Sequence, residues 1–358
     1  MRANALICTV GTSMFGRMPE LRHLPAVQAG ARLKALLNPS DGGAEFETLH
    51  YHCRTGELID RHALILFCSD TEEGVAAGRI LEAAFSKEYN NIEVTRCKGL
   101  RDDDPRMFAT RGLRSLVNQL VAAIHRLRRR GWIPAIDATG GYKPQIAHAV
   151  LVGQIMQVPV YYRYQGFADV IELPPLPISM DPQVWFDHLW FFERLREELL
   201  PDRDLPHGDE RIAPLVEREE HLVTLSPLGE LMAAAADQLL IRGRGDLLPT
   251  PSPDPPARKK ISYEDGNAGK HAGLADFCER LRSVPFVARI ATFYFNPDLP
   301  RPSSVRVPKD ADGAPDRLEV WYGDGKALTK LNVWTTATTS RELAAARADL
   351  EQRLGIAG

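Results

Sequence analysis

The chain of 358 residues, 44% apolar and 25% charged, has the make-up of a soluble globular protein long enough for two or three domains of roughly 100–200 residues. No apolar run reaches the ~18 residues of a membrane span, and five scattered cysteines without a C-x-x-C pair (Cys8, Cys53, Cys68, Cys97, Cys278) argue for reduced thiols and against zinc. Net charge is −3 but uneven: residues 1–181 hold 21 Lys/Arg against 19 Asp/Glu, residues 182–240 five against thirteen, and residues 258–358 sixteen against thirteen.

In chain order, Asn4–Val10 reads as a buried strand running into Gly11-Thr12-Ser13, with no basic lead of a signal peptide before it; a cytoplasmic protein is expected. A helix is predicted over Val27–Leu37, then a strand over Ala63–Cys68 ending in Ser69-Asp70-Thr71. The helix Glu72–Phe85 follows, with Asp70 or Thr71 as its N-cap. Ile92–Arg96 is a third strand and Pro105–Arg130 a long amphipathic helix. Its basic last turn before Gly131 is an ordinary helix stop. A strand to Asp137, a glycine turn, a helix to Met156 and a strand over Val158–Arg163 complete an alternating pattern. Such alternation predicts a parallel sheet covered on both faces, in a domain spanning residues 1–178. There is no G-x-G-x-x-G, which disfavours a nicotinamide or flavin dinucleotide.

The turn Thr139-Gly140-Gly141-Tyr142-Lys143 sits between strand and helix. Its glycines permit close backbone approach, the helix start presents free N–H groups, and Lys143 adds charge, a combination suited to phosphate. A plain tight turn is the other reading. Gly11, Thr12 and Ser13 would lie beside it at the carboxyl edge of the sheet, where open α/β sheets bind ligands. Ser69 and Thr71 end another strand at that edge, where they either face the ligand or cap the helix. Together, the first-strand Gly-Thr-Ser and the later Thr-Gly-Gly-Tyr-Lys resemble the two motifs of the CARF domain (CRISPR-associated Rossmann fold) over about the first half of the chain. That family senses cyclic oligoadenylates made by type III CRISPR systems. The resemblance implies that Gly11, Thr12, Ser13, Ser69, Thr71, Thr139, Gly140, Gly141 and Lys143 surround such a ring across a homodimer.

Residues 182–242 form a second predicted unit. The aromatic run Val184–Phe192 suggests packing against another subunit or domain. His221–Gly229 followed by Glu230–Leu240 resembles the wing and last helix of a winged helix-turn-helix. A transcription regulator is therefore one alternative, but the acidic charge of this segment opposes phosphate binding, and no specific DNA partner is expected. A proline-rich linker over 243–257 marks a boundary at which the last domain is free to move.

Residues 258–358 read as an α+β domain: a strand over Arg258–Tyr263, a helix over Gly273–Leu281, a hairpin of Arg317–Tyr322 and Leu328–Trp334 about Gly323-Asp324-Gly325, and a closing helix Arg341–Leu354. A HEPN ribonuclease needs an Arg and a His spaced along one helix; Arg17 and His23 approach that spacing only in the first loop, so this reading is set aside. A metal-dependent PD-(D/E)xK nuclease is matched formally by Asp324-Gly325-Lys326 with Asp310, Asp312 or Asp316 upstream, although a turn aspartate explains Asp324 as well. The domain also resembles the RelE family of mRNA interferases, in which cations hold the scissile phosphate and stabilise the charge formed as the ribose 2′-OH attacks. That resemblance implies candidates among Arg306, Lys309, Arg317, Lys326, Lys330 and Arg341, with Tyr322 as a further one, and no metal. Lys330 and Asn332 alternate with Leu331 and Val333, so they share a strand face. The order of sensor, winged helix and RelE-like domain resembles the CRISPR-associated mRNA interferases. It implies a ribosome-dependent endoribonuclease acting on mRNA, with no cofactor beyond its allosteric activator, cyclic tetra-adenylate.

Overall fold

The computed structural model describes residues 2–356 apart from 56, 57, 59, 165, 166, 168, 177–179, 244, 245, 264–269, 313 and 314. It divides into two compact units, residues 1–180 with 226–235, and residues 181–225 with 236–358. The boundary expected at 178 and the linker residues Arg244 and Gly245 lie outside the described residues.

The first unit is a doubly wound α/β sheet. Its strands are β1 (Ala5–Val10), β2 (Ala63–Cys68), β3 (Ile92–Arg96), β4 (Pro134–Asp137), β5 (Val160–Tyr162) and β6 (Ile171–Leu173), in the order β3-β2-β1-β4-β5-β6. The first five run parallel; β6 adds an antiparallel edge that the sequence reading lacks. Alternation along β1 assigns the two faces. Leu6, Cys8 and Val10 pack under α1 (Ser13–Arg17), α2 (Ala26–Lys34), α3 (Ala44–Thr55) and α4 (Glu72–Phe85). Ala5 and Ile7 pack under α6 (Leu113–Arg129) and α7 (Lys143–Met156). Burial pushes the Cys8 thiol well above its ordinary range and Cys68 up to about 12, as inert core thiols require.

Helices following β1 and β2 therefore cover one face, and those following β3 and β4 the other. The chain changes face between β1 and β4, which opens a crevice at the carboxyl ends of these two strands. The predicted long helix from Pro105 is present and continuous, with a π-helical turn over Phe108–Gly112 between its first turn, α5 (Pro105–Met107), and α6. Helix α3 is absent from the sequence reading. Glu45, Thr48 and His52 share its buried stripe with Phe46 and Leu49, which hides the apolar period.

In the second unit α8 (Gln183–Asp187) and α9 (Leu189–Glu197) carry the aromatic run. Trp185, Phe186, Phe191 and Phe192 are fully buried within this unit, with Trp185 stacked on Phe192 at 4.7 Å. The run packs inside this compact unit, which also includes residues 258–358, the segment expected as a separate domain. A three-stranded sheet, ordered β7 (Leu200–Pro201), β9 (Leu222–Leu225), β8 (Val216–Glu219), leads into α10 (Pro227–Arg242). The β8–β9 hairpin precedes α10, whose residues 227–235 belong to the first unit, and two short 3-10 turns, Asp202–Asp204 and Glu210–Leu215, lie between α9 and β8.

The larger sheet has the order β10 (Lys260–Tyr263), β11 (Val287–Asn296), β14 (Leu328–Thr335), β13 (Arg317–Asp324), β12 (Pro302–Arg306), with α11 (Leu274–Arg282) and α12 (Ser340–Leu354). It is antiparallel except for the β10–β11 pair, and β11 and β12 are additions to the sequence reading. Glu193 of α9 pairs with Arg347 of α12 at 2.7 Å, so the segments expected as separate domains share one core. The prolines between them are anchored: the Thr336 hydroxyl bonds the Thr250 carbonyl, and the Ser252 N–H donates to the Pro285 carbonyl at 2.9 Å. Among the described residues no helix is long and apolar enough to cross a membrane.

Candidate ligand cleft

Parallel pairing sets Cys8 opposite Asp137, so the loops after β1 and β4 emerge side by side. They are tied directly, the Thr9 hydroxyl donating to the Gly140 carbonyl at 2.6 Å. Between them stands Glu45, a buried carboxylate from α3. Its Oε1 accepts the Gly11 N–H at 2.9 Å and its Oε2 the Ser13 hydroxyl, while Ser13 Oγ accepts the Ala44 N–H at 2.9 Å. This packing explains two of the glycines. A Cβ on Gly11 would sit 2.7 Å from Glu45 Oε1, and one on Gly140 would sit 2.4 Å from Glu45 Cγ and 2.7 Å from the Thr9 carbonyl.

Asp137 locks the second loop. Its Oδ1 accepts the Thr139 N–H at 2.9 Å, and its Oδ2 lies 3.1 Å from Nε2 of the buried His52. The Thr139 hydroxyl in turn accepts the Arg163 backbone N–H at 3.0 Å, fixing the start of the segment after β5. In front of these loops lies an open cleft of about 730 Å³ whose lining includes Ser13, Arg17, Thr139, Arg163, Tyr164 and Phe167. The Arg163 guanidinium bonds Glu47 at 2.8 Å and lies over the Tyr51 ring at 5.9 Å. The site thus offers hydroxyls, two arginines and exposed aromatic rings, a chemistry that fits a nucleotide phosphate with its base.

The structure brings Gly11, Thr12, Ser13, Thr139, Gly140 and Gly141 to one edge, as expected. Thr12 is half-buried at the N-cap of α1, and its side chain makes no capping bond. Lys143 is exposed at the first position of α7 and is absent from the cleft lining. Ser69 and Thr71 follow the capping alternative: Thr71 Oγ1 accepts the Gly74 N–H at 3.0 Å, and the two hydroxyls bond each other at 2.9 Å. The sequence reading missed Glu45, Glu47 and His52 because it missed α3. Arg17 and Arg163 were visible only as isolated charges.

The cations singled out in the second unit do not form one cluster. Arg306 and Lys330 flank the Trp321 ring, with Arg306 Cζ 4.0 Å and Lys330 Nζ 4.4 Å from its centroid. They also pair with Glu197 at 2.9 Å and Glu319 at 3.6 Å respectively. Arg317 lies on β13 in the same residue phase as Trp321 and bonds Asp310. Lys309 pairs with Asp204 at 3.1 Å, Arg341 bonds Gln183 at 2.7 Å on α8, and Lys326 is exposed at the hairpin tip. Asp324 behaves as a turn residue, its Oδ1 accepting the N–H groups of Lys326 and Ala327 at 2.8 Å. These two donors hold its carboxyl below the usual range. Sequence reasoning also passed over His271, buried beside this tip, with Nδ1 2.8 Å from Thr329 Oγ1 and Nε2 3.5 Å from Asp324 Oδ2.

The first unit is thus a doubly wound domain with a polar cleft at its β1/β4 switch point, the architecture of a small-ligand-binding module. Residues 40–176, from just before α3 to just past β6, match the family described as CRISPR-associated protein (Cas_APE2256), which ties this unit to CRISPR-associated proteins. Among solved structures, the chain is similar to Can2 from Sulfobacillus thermosulfidooxidans in complex with cyclic tetra-adenylate, at 8% identity and a TM-score of 0.25, covering 68% of this chain and 64% of that one. It is also similar to protein VC1899 from Vibrio cholerae, at 7% identity and a TM-score of 0.25, covering 93% of this chain and 77% of that one.

Proposed function

We propose that the first unit binds a cyclic oligoadenylate, with cyclic tetra-adenylate the expected ring, and that binding switches on an RNA-cleaving second unit in antiviral defence. The observation that carries this reading is that Ser13 and Thr139, one residue from each CARF-like motif, line one cleft, with the second motif inside residues 40–176 that match a CRISPR-associated family. Two copies of the chain would present two such clefts to one two-fold symmetric ring.

The sheet face bearing Arg306, Trp321 and Lys330 is the proposed place of cleavage on ribosome-bound mRNA. The indole holds both cations at a fixed separation. One would neutralise the scissile phosphate while the ribose 2′-oxygen attacks phosphorus. The 2′-hydroxyl proton passes to solvent and the P–O5′ bond breaks, leaving a 2′,3′-cyclic phosphate and a 5′-hydroxyl whose proton comes from the other cation, which solvent then reprotonates. No water is consumed and no metal is required. The test is cleavage of ribosome-bound mRNA with and without cyclic tetra-adenylate, each with and without a chelator. Cleavage that needs the ring and survives chelation supports both halves. Cleavage indifferent to the ring removes the sensor, and cleavage lost on chelation favours a metal nuclease.

A further inference from the structure

Glu47 and Arg163 line the cleft described above and also a second cleft of about 520 Å³ on its far side, whose lining adds His50, Tyr51, Arg54 and Thr55. Their ion pair is therefore the wall between two adjoining spaces. It is a movable wall. The Arg163 backbone is pinned by Thr139, and its guanidinium bonds Glu47 with the Tyr51 ring 5.9 Å away. The far cleft has its own cation in the exposed Arg54, and burial together with Arg54 and Lys34 holds His50 below the ordinary imidazole range. A carboxylate in the wall of an anion-binding cleft opposes its ligand: a phosphate reaches Arg163 only by replacing Glu47.

We propose that an adenylate phosphodiester displaces Glu47 from Arg163, opening the wall, and that the cleft lined by His50, Tyr51 and Arg54 receives the next nucleotide of the ligand. Arg163 then bridges both nucleotides, Arg54 takes the farther phosphate, and Glu47 acts as a gate that sets affinity. This inference rests on the oligoadenylate reading of the first cleft.

The experiment is calorimetric titration of the full-length protein with cyclic tetra-adenylate, comparing wild type, Glu47→Gln, Arg54→Ala and Arg54→Lys, each checked for an unchanged melting curve. Removing the competing carboxylate is expected to tighten binding about fivefold, the scale of one ion pair at the protein surface layer. Losing the far cation is expected to weaken it about tenfold or more, the scale of a charge-assisted hydrogen bond, and lysine is expected to restore most of the loss. A wild type that binds while Glu47→Gln or Arg54→Ala stays within twofold of it overturns the gate and far subsite but leaves the first cleft's assignment standing. A wild type that binds no ring overturns both.

Discussion

Glu45 Oε1 accepts the Gly11 N–H at 2.9 Å while its other oxygen takes the Ser13 hydroxyl, so a carboxylate from α3 fixes the loop after β1. The donors that sequence alone assigns to a ligand are engaged inside the protein. Engaged in this way they shape the cleft, and under the proposed function a ligand's charge would fall to Arg17 and Arg163. Glu45→Ala leaves both donors without their acceptor in a buried place, a loss of about 1–3 kcal/mol. The expected outcome is a lower melting temperature for the transition that includes the first unit, and weaker ring binding even where the protein is still folded. Glu45→Gln, which keeps one oxygen acceptor, should retain part of both.

How much of this was legible in the residues depends on where polar groups sit. Strands β1, β2 and β4 were readable because they are mostly apolar and buried throughout, and the switch point followed from their alternation with helices. Helix α3 was not, because its inward stripe carries Glu45, Thr48 and His52 beside Phe46 and Leu49, and this polar stripe is what builds the site. The same rule holds in the second unit. The hairpin around Gly325, with φ +84, announces itself through its glycines, whereas β11 and β12 carry enough polar and aromatic residues to blur their period. The burial of the aromatic run by its own unit rests on Glu193 meeting Arg347, a contact 154 positions apart that no local pattern shows.

The placement of Lys143 changes which residue should matter most. It stands exposed at the start of α7, outside the cleft lining, whereas Arg163 is mostly buried in the cleft wall. A solvated lysine contributes as a screened charge, worth up to about 1 kcal/mol, and a preorganised guanidinium more than that. Lys143→Ala is therefore expected to weaken cyclic tetra-adenylate binding by about fivefold or less, and Arg163→Met by more than tenfold. Titrations at two salt concentrations check the ranking, since the Lys143 effect should shrink as salt rises.

Glu193 gives the second unit a defined acid limit. Burial pushes its carboxyl up, but Arg347, Arg196 and the Trp185 indole N–H outweigh burial and hold it below the ordinary carboxylate range. A carboxyl depressed in the folded state contributes stability that is present above its unfolded pKa of about 4.3 and is lost as pH falls through the lower folded value. Unfolding followed by tryptophan fluorescence should therefore show a steep loss of stability on acidification below about pH 4. Glu193→Gln should flatten that slope. At neutral pH it should cost about 1–3 kcal/mol, because Arg347 loses one charged partner while Glu351 at 3.2 Å remains.

Trp321 tests whether a shared ring organises the proposed cleavage face. Its two cations lie 4.0 and 4.4 Å from the ring centroid, and each is tethered by a carboxylate, so the indole fixes the separation of two charges that would otherwise swing on long side chains. Removing the ring forfeits about 0.5–1 kcal/mol at each cation and, with it, their common orientation. Trp321→Ala is expected to lower ring-activated RNA cleavage by tenfold or more, and Trp321→Phe, which keeps an aromatic face, by much less. Lys330→Ala should be severe where Lys326→Ala, at the hairpin tip, is mild. If the two lysine variants cleave equally well, the catalytic surface lies elsewhere, and the buried His271 beside Asp324 becomes the next place to look.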